Sequence, residues 1–248
     1  MRFAVDAPVD DETLSAHLPP GSRPVRHRPD DRLFAVVATA GGRYDVFDGP
    51  VPSGFGQSLP AAMSTVAADL RRTLAERSPT LVFVHAGAVA VDGRAVVLPG
   101  RSEAGKSSLV AALVGAGAEY LSDEYAPLDG AGLVHPYPQD IRLRIDGSTA
   151  VVAPRELGGS VAIGPVPVGA IVVTSFHRPS TRWRPRRGTQ GEGAIALVEH
   201  SPTAATRPGE ALSATTAAAR GATVLVGRRG DADVAATSVL RRLAASWT

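Results

Sequence analysis

Residues 100–107 combine two glycines, a lysine and a serine at a spacing suited to holding phosphate. They read Gly-Arg-Ser-Glu-Ala-Gly-Lys-Ser, which is the G-x-x-x-x-G-K-S phosphate-loop pattern. The backbone of such a loop turns its N–H groups toward phosphate oxygens, the lysine adds a cation, and the serine hydroxyl can ligate Mg²⁺. We therefore predict a phosphate-binding loop with Mg²⁺ at Ser107. The binding residues are expected to be Gly100, Arg101, Ser102, Glu103, Ala104, Gly105, Lys106, Ser107 and Ser108.

Lys106 is the only lysine in a chain that contains 26 lysine and arginine residues together. A planar guanidinium cannot replace a compact ammonium inside a phosphate cradle. Because lysine occurs at this position alone, a functional loop is favoured over a glycine-rich turn that carries a lysine by chance.

Two adjacent carboxylates, Asp123 and Glu124, follow the short apolar segment 120–122. A carboxylate at a strand end near the loop can ligate Mg²⁺ or accept a proton from a nucleophile. We expect strand 120–122 to lie beside the strand that leads into the loop, so that Asp123 faces the transferred phosphate. The alternatives are a solvated strand end and an acid that caps the next turn.

Two further features leave a functional and a structural interpretation open. His85 interrupts an otherwise apolar strand, residues 81–91, and is either a satisfied core histidine or a site residue; the nearby Gly87 would permit close backbone approach. An arginine-rich segment surrounds Trp183 and could be a surface loop, a loop over an acidic substrate or nucleotide phosphates, or a nucleic-acid contact. Its arginines are Arg178, Arg182, Arg184, Arg186 and Arg187.

The elements around the loop are predicted from apolar periodicity. Residues 94–98 form a buried strand, and the apolar positions after the loop recur at helical spacing. Asp92-Gly93 is typical of a type I′ hairpin, so the loop strand should pair antiparallel with strand 81–91 and the sheet should be mixed. We also predict a helix over 59–78, strands over 195–198 and 223–226, and an irregular loop over 146–169.

The composition excludes several classes of protein. The chain has 248 residues, no cysteine, 44% hydrophobic residues and a formal charge of +2, so disulfides and thiolate metal sites are ruled out. It also has no asparagine, which removes the guanine-recognition box of GTPases and the catalytic loop of eukaryotic-type protein kinases. No apolar run approaches the ~18 residues of a membrane helix. We expect a cytoplasmic protein without membrane contact, and the near-neutral charge gives no reason to expect nucleic acid.

With these residues in view, the chain resembles the catalytic domain of HPr kinase/phosphorylase and its relatives, the HprK-like serine kinases. The matching residues are Val84-His85-Ala86-Gly87-Ala88-Val89, the Asp92-Gly93 turn, the 100–107 loop and Leu121-Ser122-Asp123-Glu124. The resemblance covers roughly residues 80–145. It implies an α/β fold with a mixed sheet, residues 79–248 forming a kinase domain that uses ATP and Mg²⁺. Residues 1–78 are expected to be a small β-rich region that ends in a helix, in place of the family's larger N-terminal domain.

The resemblance also implies roles for individual residues. Asp123 would be the general base on a serine hydroxyl, and His85 would match an active-site histidine. From the predicted placement of the strands, we also expect Glu124 and His85 to lie close enough to tune Asp123. Asp140, in Asp140-Ile141-Arg142-Leu143, resembles the start of the family's Glu-Ile-Arg-Gly signature and would add a ligand to the Mg²⁺ held by Ser107 and Asp123. The chain departs from the family at Glu124, where aspartate is usual, and at Leu143, where glycine is usual.

Three functions fit these residues. The first is an ATP-dependent kinase that phosphorylates a serine of a small protein or precursor peptide, which would be acidic if the arginines contact it. Some relatives whose N-terminal domain is absent or shortened tailor lasso peptides. The second is a kinase of a small hydroxylated metabolite. The third is a non-catalytic nucleotide-binding module, for which a base such as Asp123 would be unnecessary. The sequence leaves homo-oligomer formation and reverse phosphorylase activity open.

Overall fold

A computed structural model describes residues 1–101, 104–145, 148–177 and 182–247. Its internal contacts divide the chain into two compact units, Met1–Pro79 and Thr80–Thr248. Within the described residues, no helix is both long and apolar enough to cross a lipid bilayer.

The first unit is a four-stranded sheet with two helices. Its elements are β1 (Phe3–Asp6), α1 (Asp11–His17), β2 (Arg32–Thr39), β3 (Arg43–Asp48), β4 (Val51–Gln57) and α2 (Leu59–Arg77). The strands lie in the order β1-β2-β3-β4, with β1 and β2 parallel. One face of α2 buries Met63, Val66 and Leu70 against Phe34 and Val46, because these helix positions share one side. The periodicity of 59–78 predicted this helix; α1 and β4 carried no clear pattern.

The second unit contains the 100–107 loop. Its elements are β5 (Val82–Val91), β6 (Arg94–Pro99), α3 (Lys106–Gly115), β7 (Glu119–Ser122), β8 (Tyr125–Leu128), β9 (Leu133–Val134), β10 (Ile141–Ile145), β11 (Ser148–Val152), a 3₁₀ turn (Pro154–Leu157), β12 (Val166–Val173), β13 (Arg186–Gly188), α4 (Gln190–Val198), α5 (Thr203–Thr206), α6 (Pro208–Ala219), β14 (Thr223–Val226) and α7 (Ala232–Ala244).

The main sheet of this unit is mixed, as predicted. Its strand order is β13-β14-β12-β6-β5-β8-β9, and β7 also pairs with β5. Strands β6, β12 and β14 are parallel, whereas β5 is antiparallel to β6. The connecting turn has Asp92 at φ 49° and Gly93 at φ 70°, which is the left-handed pair that a type I′ turn requires. A short β9–β12 pairing joins the two flanks of the sheet.

Helices cover both faces of this sheet. On one face, alternate residues of β5 and β6 pack against α4 and α6 through Leu197 and Ala214. On the other face, Val96 and Leu98 pack against Leu109 of α3 and against α7. Strands buried on both sides read as continuous apolar runs, which is why β5 and β6 were readily predicted.

Three expectations about this unit were wrong. Residues 195–198 belong to α4 rather than to a strand, because Thr189 and Glu192 form a capping box that begins a helix. Residues 146–169 are not one irregular loop: β11 and the 3₁₀ turn lie within this range. Strand β7 pairs with β5, not with the loop strand β6, whose second edge is occupied by β12.

Candidate active site

The 100–107 loop joins the end of β6 to the start of α3. Gly105 is the residue before the helix and has φ 80°, a left-handed conformation in which glycine is not strained. The helix therefore begins at Lys106 with its positive end toward the loop, as anion binding requires. Ser102 and Glu103, two of the predicted binding residues, lie outside the described residues.

Lys106 is held by the loop itself. Its Nζ donates to the backbone carbonyls of Gly100 and Arg101, at 2.8 Å each, so two of the three ammonium donors are used within the loop. Burial lowers the pKa of Lys106, and the negative charges of Asp123 and Glu124 oppose this shift. The structure thus brings the predicted lysine and both predicted acids into one electrostatic cluster.

Asp123 has a buried carboxylate oxygen beside this cluster. Its Oδ1 is shielded from solvent and makes no hydrogen bond within the described residues. Burial raises the pKa of Asp123 to about 6, while the Ser107 hydroxyl, the Lys106 charge and the backbone N–H of Arg142 oppose the increase. A carboxylate with this pKa is ionised at neutral pH and is more basic than an exposed aspartate.

The position of Asp123 and Glu124 follows from a break along one edge of β5. Strand β7 pairs with the second half of β5, ending at Ala88 opposite Ser122, and β8 pairs with the first half, beginning at His85 opposite Tyr125. The two acids occupy the interval between β7 and β8. The backbone N–H of Ala86 donates to the Glu124 carbonyl at 3.2 Å, which ties this interval to β5.

Gly87 lies in the same part of β5 but serves the packing of α3. A Cβ at Gly87 would come within 2.5 Å of Val110 Cγ2. The close approach predicted at this glycine is therefore made by a helix side chain. That contact helps to place the start of α3 over the strand that carries His85.

His85 is half-buried and lies against the first glycine of the loop. Its carbonyl accepts from the Gly100 N–H at 3.3 Å, and its N–H donates to the His200 carbonyl at 2.7 Å. Burial lowers the pKa of His85 to about 4, with further contributions from Lys106 and His200. The imidazole is therefore neutral near pH 7, and its surroundings are those of the loop rather than of an apolar core.

Two residues near the loop were missed from the sequence. His200 follows α4, and burial lowers its pKa, as do the charges of Lys106 and Arg101. Arg229 is 3% exposed and donates from Nη2 to the Gly105 carbonyl and from Nη1 to the Gly230 carbonyl. Neither residue lies in a recognisable sequence motif. Both are distant from the loop in sequence, and only the folding of the chain brings them close to it.

The pair most suited to Mg²⁺ is Ser107 and Asp123. A hydroxyl and a carboxylate with a buried, unpaired oxygen are the oxygen ligands that Mg²⁺ prefers. Asp140 is exposed and immediately precedes β10. Burial raises the pKa of Tyr120, and the charges of Asp123, Asp140 and Glu124 add to this increase. Within the described ranges, no three His, Cys, Asp or Glu side chains are grouped as a metal site. The metal role of Asp140 stays a prediction.

The arginine-rich segment is partly structural. Trp183 is 5% exposed and belongs to the core beneath α7, and Arg186 forms a two-bond ion pair with Glu192. Arg184 and Arg187 are exposed, and Arg178 lies outside the described residues. Any electrostatic attraction of an acidic substrate to this segment must therefore depend on fewer arginines than the sequence contains there.

No protein-family model and no curated protein matches this chain. A solved structure that aligns with it is the HPr(Ser) kinase/phosphatase from Coxiella burnetii, with 15% sequence identity and a TM-score of 0.42 over 66% of this chain and 97% of that one. A likeness of this size assigns no activity, so the function must be argued from the site.

Proposed function

We propose that this protein is an ATP-dependent kinase that transfers the γ-phosphate to a serine hydroxyl of a small protein or peptide. The observation that carries the proposal is the location of Asp123. Its buried, unpaired Oδ1 lies in the same cluster as Lys106 and Ser107, at the positive end of α3. The resemblance of the surrounding residues to HprK-like serine kinases supports the same activity.

The chemistry assigned to these residues is an in-line phosphoryl transfer. The loop N–H groups and Lys106 bind the phosphates. Ser107 and Asp123 would hold Mg²⁺, which would supply positive charge against the phosphates. Asp123 accepts the proton of the serine hydroxyl as the new O–P bond forms and the bond between the β- and γ-phosphates breaks. Serine phosphate and ADP are the products.

Glu124 acts on the base rather than on the substrate in this proposal. His85 stays neutral beside Gly100, because burial and the charge of Lys106 disfavour its protonation. The negative charge of Glu124 raises the pKa of Asp123, which strengthens it as a proton acceptor.

A non-catalytic nucleotide-binding module remains the principal competing function, and a small-molecule kinase shares the same site. The buried carboxylate favours an enzyme, because a module that only binds nucleotide gains nothing from an acid beside Lys106 with one desolvated, unpaired oxygen. Exposed Arg184 and Arg187 would favour an acidic peptide if they contact it.

Incubation with γ-labelled ATP, Mg²⁺ and peptides encoded by neighbouring reading frames tests the proposal, with mass spectrometry to locate phosphate. We expect one peptide to gain phosphate on serine and Asp123→Asn to lower kcat at least about 100-fold while ATP still binds within several-fold. Asp92→Asn is the matched control, because it makes the same change in the hairpin at the other end of β5 and β6. Phosphate on a small alcohol alone would select the metabolite kinase. Near-normal transfer by Asp123→Asn would refute its role as the base.

A further inference from the structure

Phe176 is an exposed aromatic residue that directly adjoins the 100–107 loop. It keeps 51% of its surface accessible, although it lies only three residues beyond the end of β12. Among the described residues from Thr80 onward, no other Phe, Tyr or Trp side chain is exposed. Isolated exposed apolar residues are common, so its exposure matters only in combination with where it lies and how it is held.

The backbone around Phe176 is fixed to the loop. Its N–H donates to the carbonyl of Ala104 at 3.3 Å. Phe176 also forms a parallel bridge with Arg229, in which the Arg229 N–H donates to Ser175 and the His177 N–H donates to Arg229, at 3.0 Å each. The backbone that carries this aromatic side chain is therefore hydrogen-bonded to the loop at Ala104 and to the segment at Arg229.

The Cβ of Phe176 lies beside the end of the loop from which α3 begins. A Cβ built on Gly105 would lie 3.5 Å from the Phe176 Cβ. The Arg229 guanidinium lies 5.9 Å from the ring centroid, a distance at which cation and ring attract. An anchored ring, supported by a cation and next to a phosphate-binding helix terminus, has the properties of a stacking surface.

We propose that Phe176 is the platform on which the base of the bound nucleotide stacks, a base subsite next to the phosphate loop. This inference rests on the proposed function, because it requires a nucleotide whose phosphates occupy the loop. Stacking on a phenyl ring uses the π-face that every base possesses. The subsite would therefore strengthen binding of any nucleoside triphosphate and would not by itself distinguish adenine from guanine.

A different role for Phe176 is to shield Arg229, which is 3% exposed. The two roles predict different ligand dependence. A shield supports Arg229 and, through it, the Gly105 carbonyl, so its loss would weaken every ligand that binds the loop. A stacking platform affects only ligands that carry a base.

The test compares ATP with inorganic tripolyphosphate, each with Mg²⁺, by calorimetry on the full chain. Phe176→Leu keeps an apolar cover over Arg229 but removes the π-face, and Phe176→Tyr keeps both. We expect Phe176→Leu to bind ATP about tenfold more weakly, with tripolyphosphate affinity within about twofold of wild type. Phe176→Tyr should bind both ligands nearly as wild type does. Circular dichroism and thermal unfolding verify that each variant is folded.

The outcomes separate the subsite from the proposed function. Equal losses for ATP and tripolyphosphate in Phe176→Leu would show that the ring supports the loop through its contact with Arg229, and unchanged affinities would show that the ring is only an apolar cover; either result overturns the base platform. If wild type binds ATP and tripolyphosphate equally well, the phosphate loop stands and the platform is rejected. If wild type binds neither, nucleotide binding at the loop is itself refuted and the platform with it.

Discussion

Arg229 donates a hydrogen bond from Nη2 to the carbonyl of Gly105, a residue 124 positions earlier in the chain. Gly105 is the left-handed residue from which α3 begins, so this bond fixes the turn that aims the helix at an anion. The guanidinium is buried and burial lowers its pKa; only the charge of Asp231 opposes the shift. Its Nε has no partner within the described residues.

Replacing Arg229 tests whether it supports the loop. Arg229→Met removes the bonds to Gly105 and Gly230 and takes a positive charge from beside the phosphate site. We expect ATP and tripolyphosphate to lose affinity equally, by about tenfold, since a hydrogen bond from a charged group contributes roughly 1.5–3 kcal/mol. Calorimetry on both ligands measures this. Arg228→Met is the control, because Arg228 is the adjacent, exposed arginine; unchanged binding in Arg229→Met would show that the loop holds its shape unaided.

Lys106 is expected to be irreplaceable. Lys106→Ala removes the ammonium that the loop carbonyls hold, and Lys106→Arg places a larger planar cation in the same space. We expect transfer to fall at least about 100-fold in both variants, because a preorganised donor to phosphate is lost or misplaced. Single-turnover assays and ATP affinity measure the effect. Normal turnover in Lys106→Ala would exclude this loop as the phosphate site.

Asp123 should reduce the stability of the folded protein at neutral pH. Burial raises its pKa from the ordinary aspartate value of 3.8 to about 6, so the folded state binds more protons between these values and the free energy of unfolding falls as pH rises from about 4 to 6. Asp123→Asn removes this penalty. At pH 8 without ligands, we expect it to stabilise the fold by on the order of 2 kcal/mol.

The measurement is the free energy of unfolding in urea at pH 8 and at pH 4.5. The gain from Asp123→Asn should shrink at the lower pH, where wild-type Asp123 is largely protonated. Asp92→Asn, in the β5–β6 hairpin, should show no such pH-dependent gain. A destabilised Asp123→Asn at pH 8 would mean that the hydrogen bonds from Ser107 and Arg142 outweigh the burial of the carboxylate.

His85 should make the fold sensitive to acid. Burial lowers its pKa from the ordinary histidine value of 6.5 to about 4, so the unfolded chain binds more protons in this interval. The contribution of neutral His85 to the free energy of unfolding is fully present above about pH 6.5 and is lost as pH falls toward 4. His85→Gln cannot be protonated and should lose less stability between pH 7 and 5 than wild type.

Urea unfolding at pH 7, 6 and 5 measures this difference. His27→Gln is the control, because His27 is exposed to solvent. If the free energy of unfolding falls equally in His85→Gln and in wild type as pH is lowered, protonation of His85 is not the cause of the acid sensitivity. The opposite directions for Asp123 and His85 allow the two contributions to be separated in a double variant.

The sequence by itself determined the local chemistry of the loop and the elements on either side of it. Continuous apolar runs specified β5 and β6, and Asp92-Gly93 specified their hairpin, because both signals depend only on neighbouring residues. The spacing of Gly100, Gly105 and Lys106 likewise defines a turn and a helix start. The same locality explains an error: the short apolar run 195–198 fits a strand or a helix, and the Thr189–Glu192 capping box that decides for the helix lies outside it.

Only the tertiary structure decided which distant residues meet the loop. Strand β7 could have paired beside β6, but β12 occupies that edge, so Asp123 and Glu124 arrive from the far edge of β5. His200, Phe176 and Arg229 come from three separate segments. Their positions depend on how strands and helices cover each other's apolar faces, and pairing between distant segments leaves no mark in the local periodicity of any one of them.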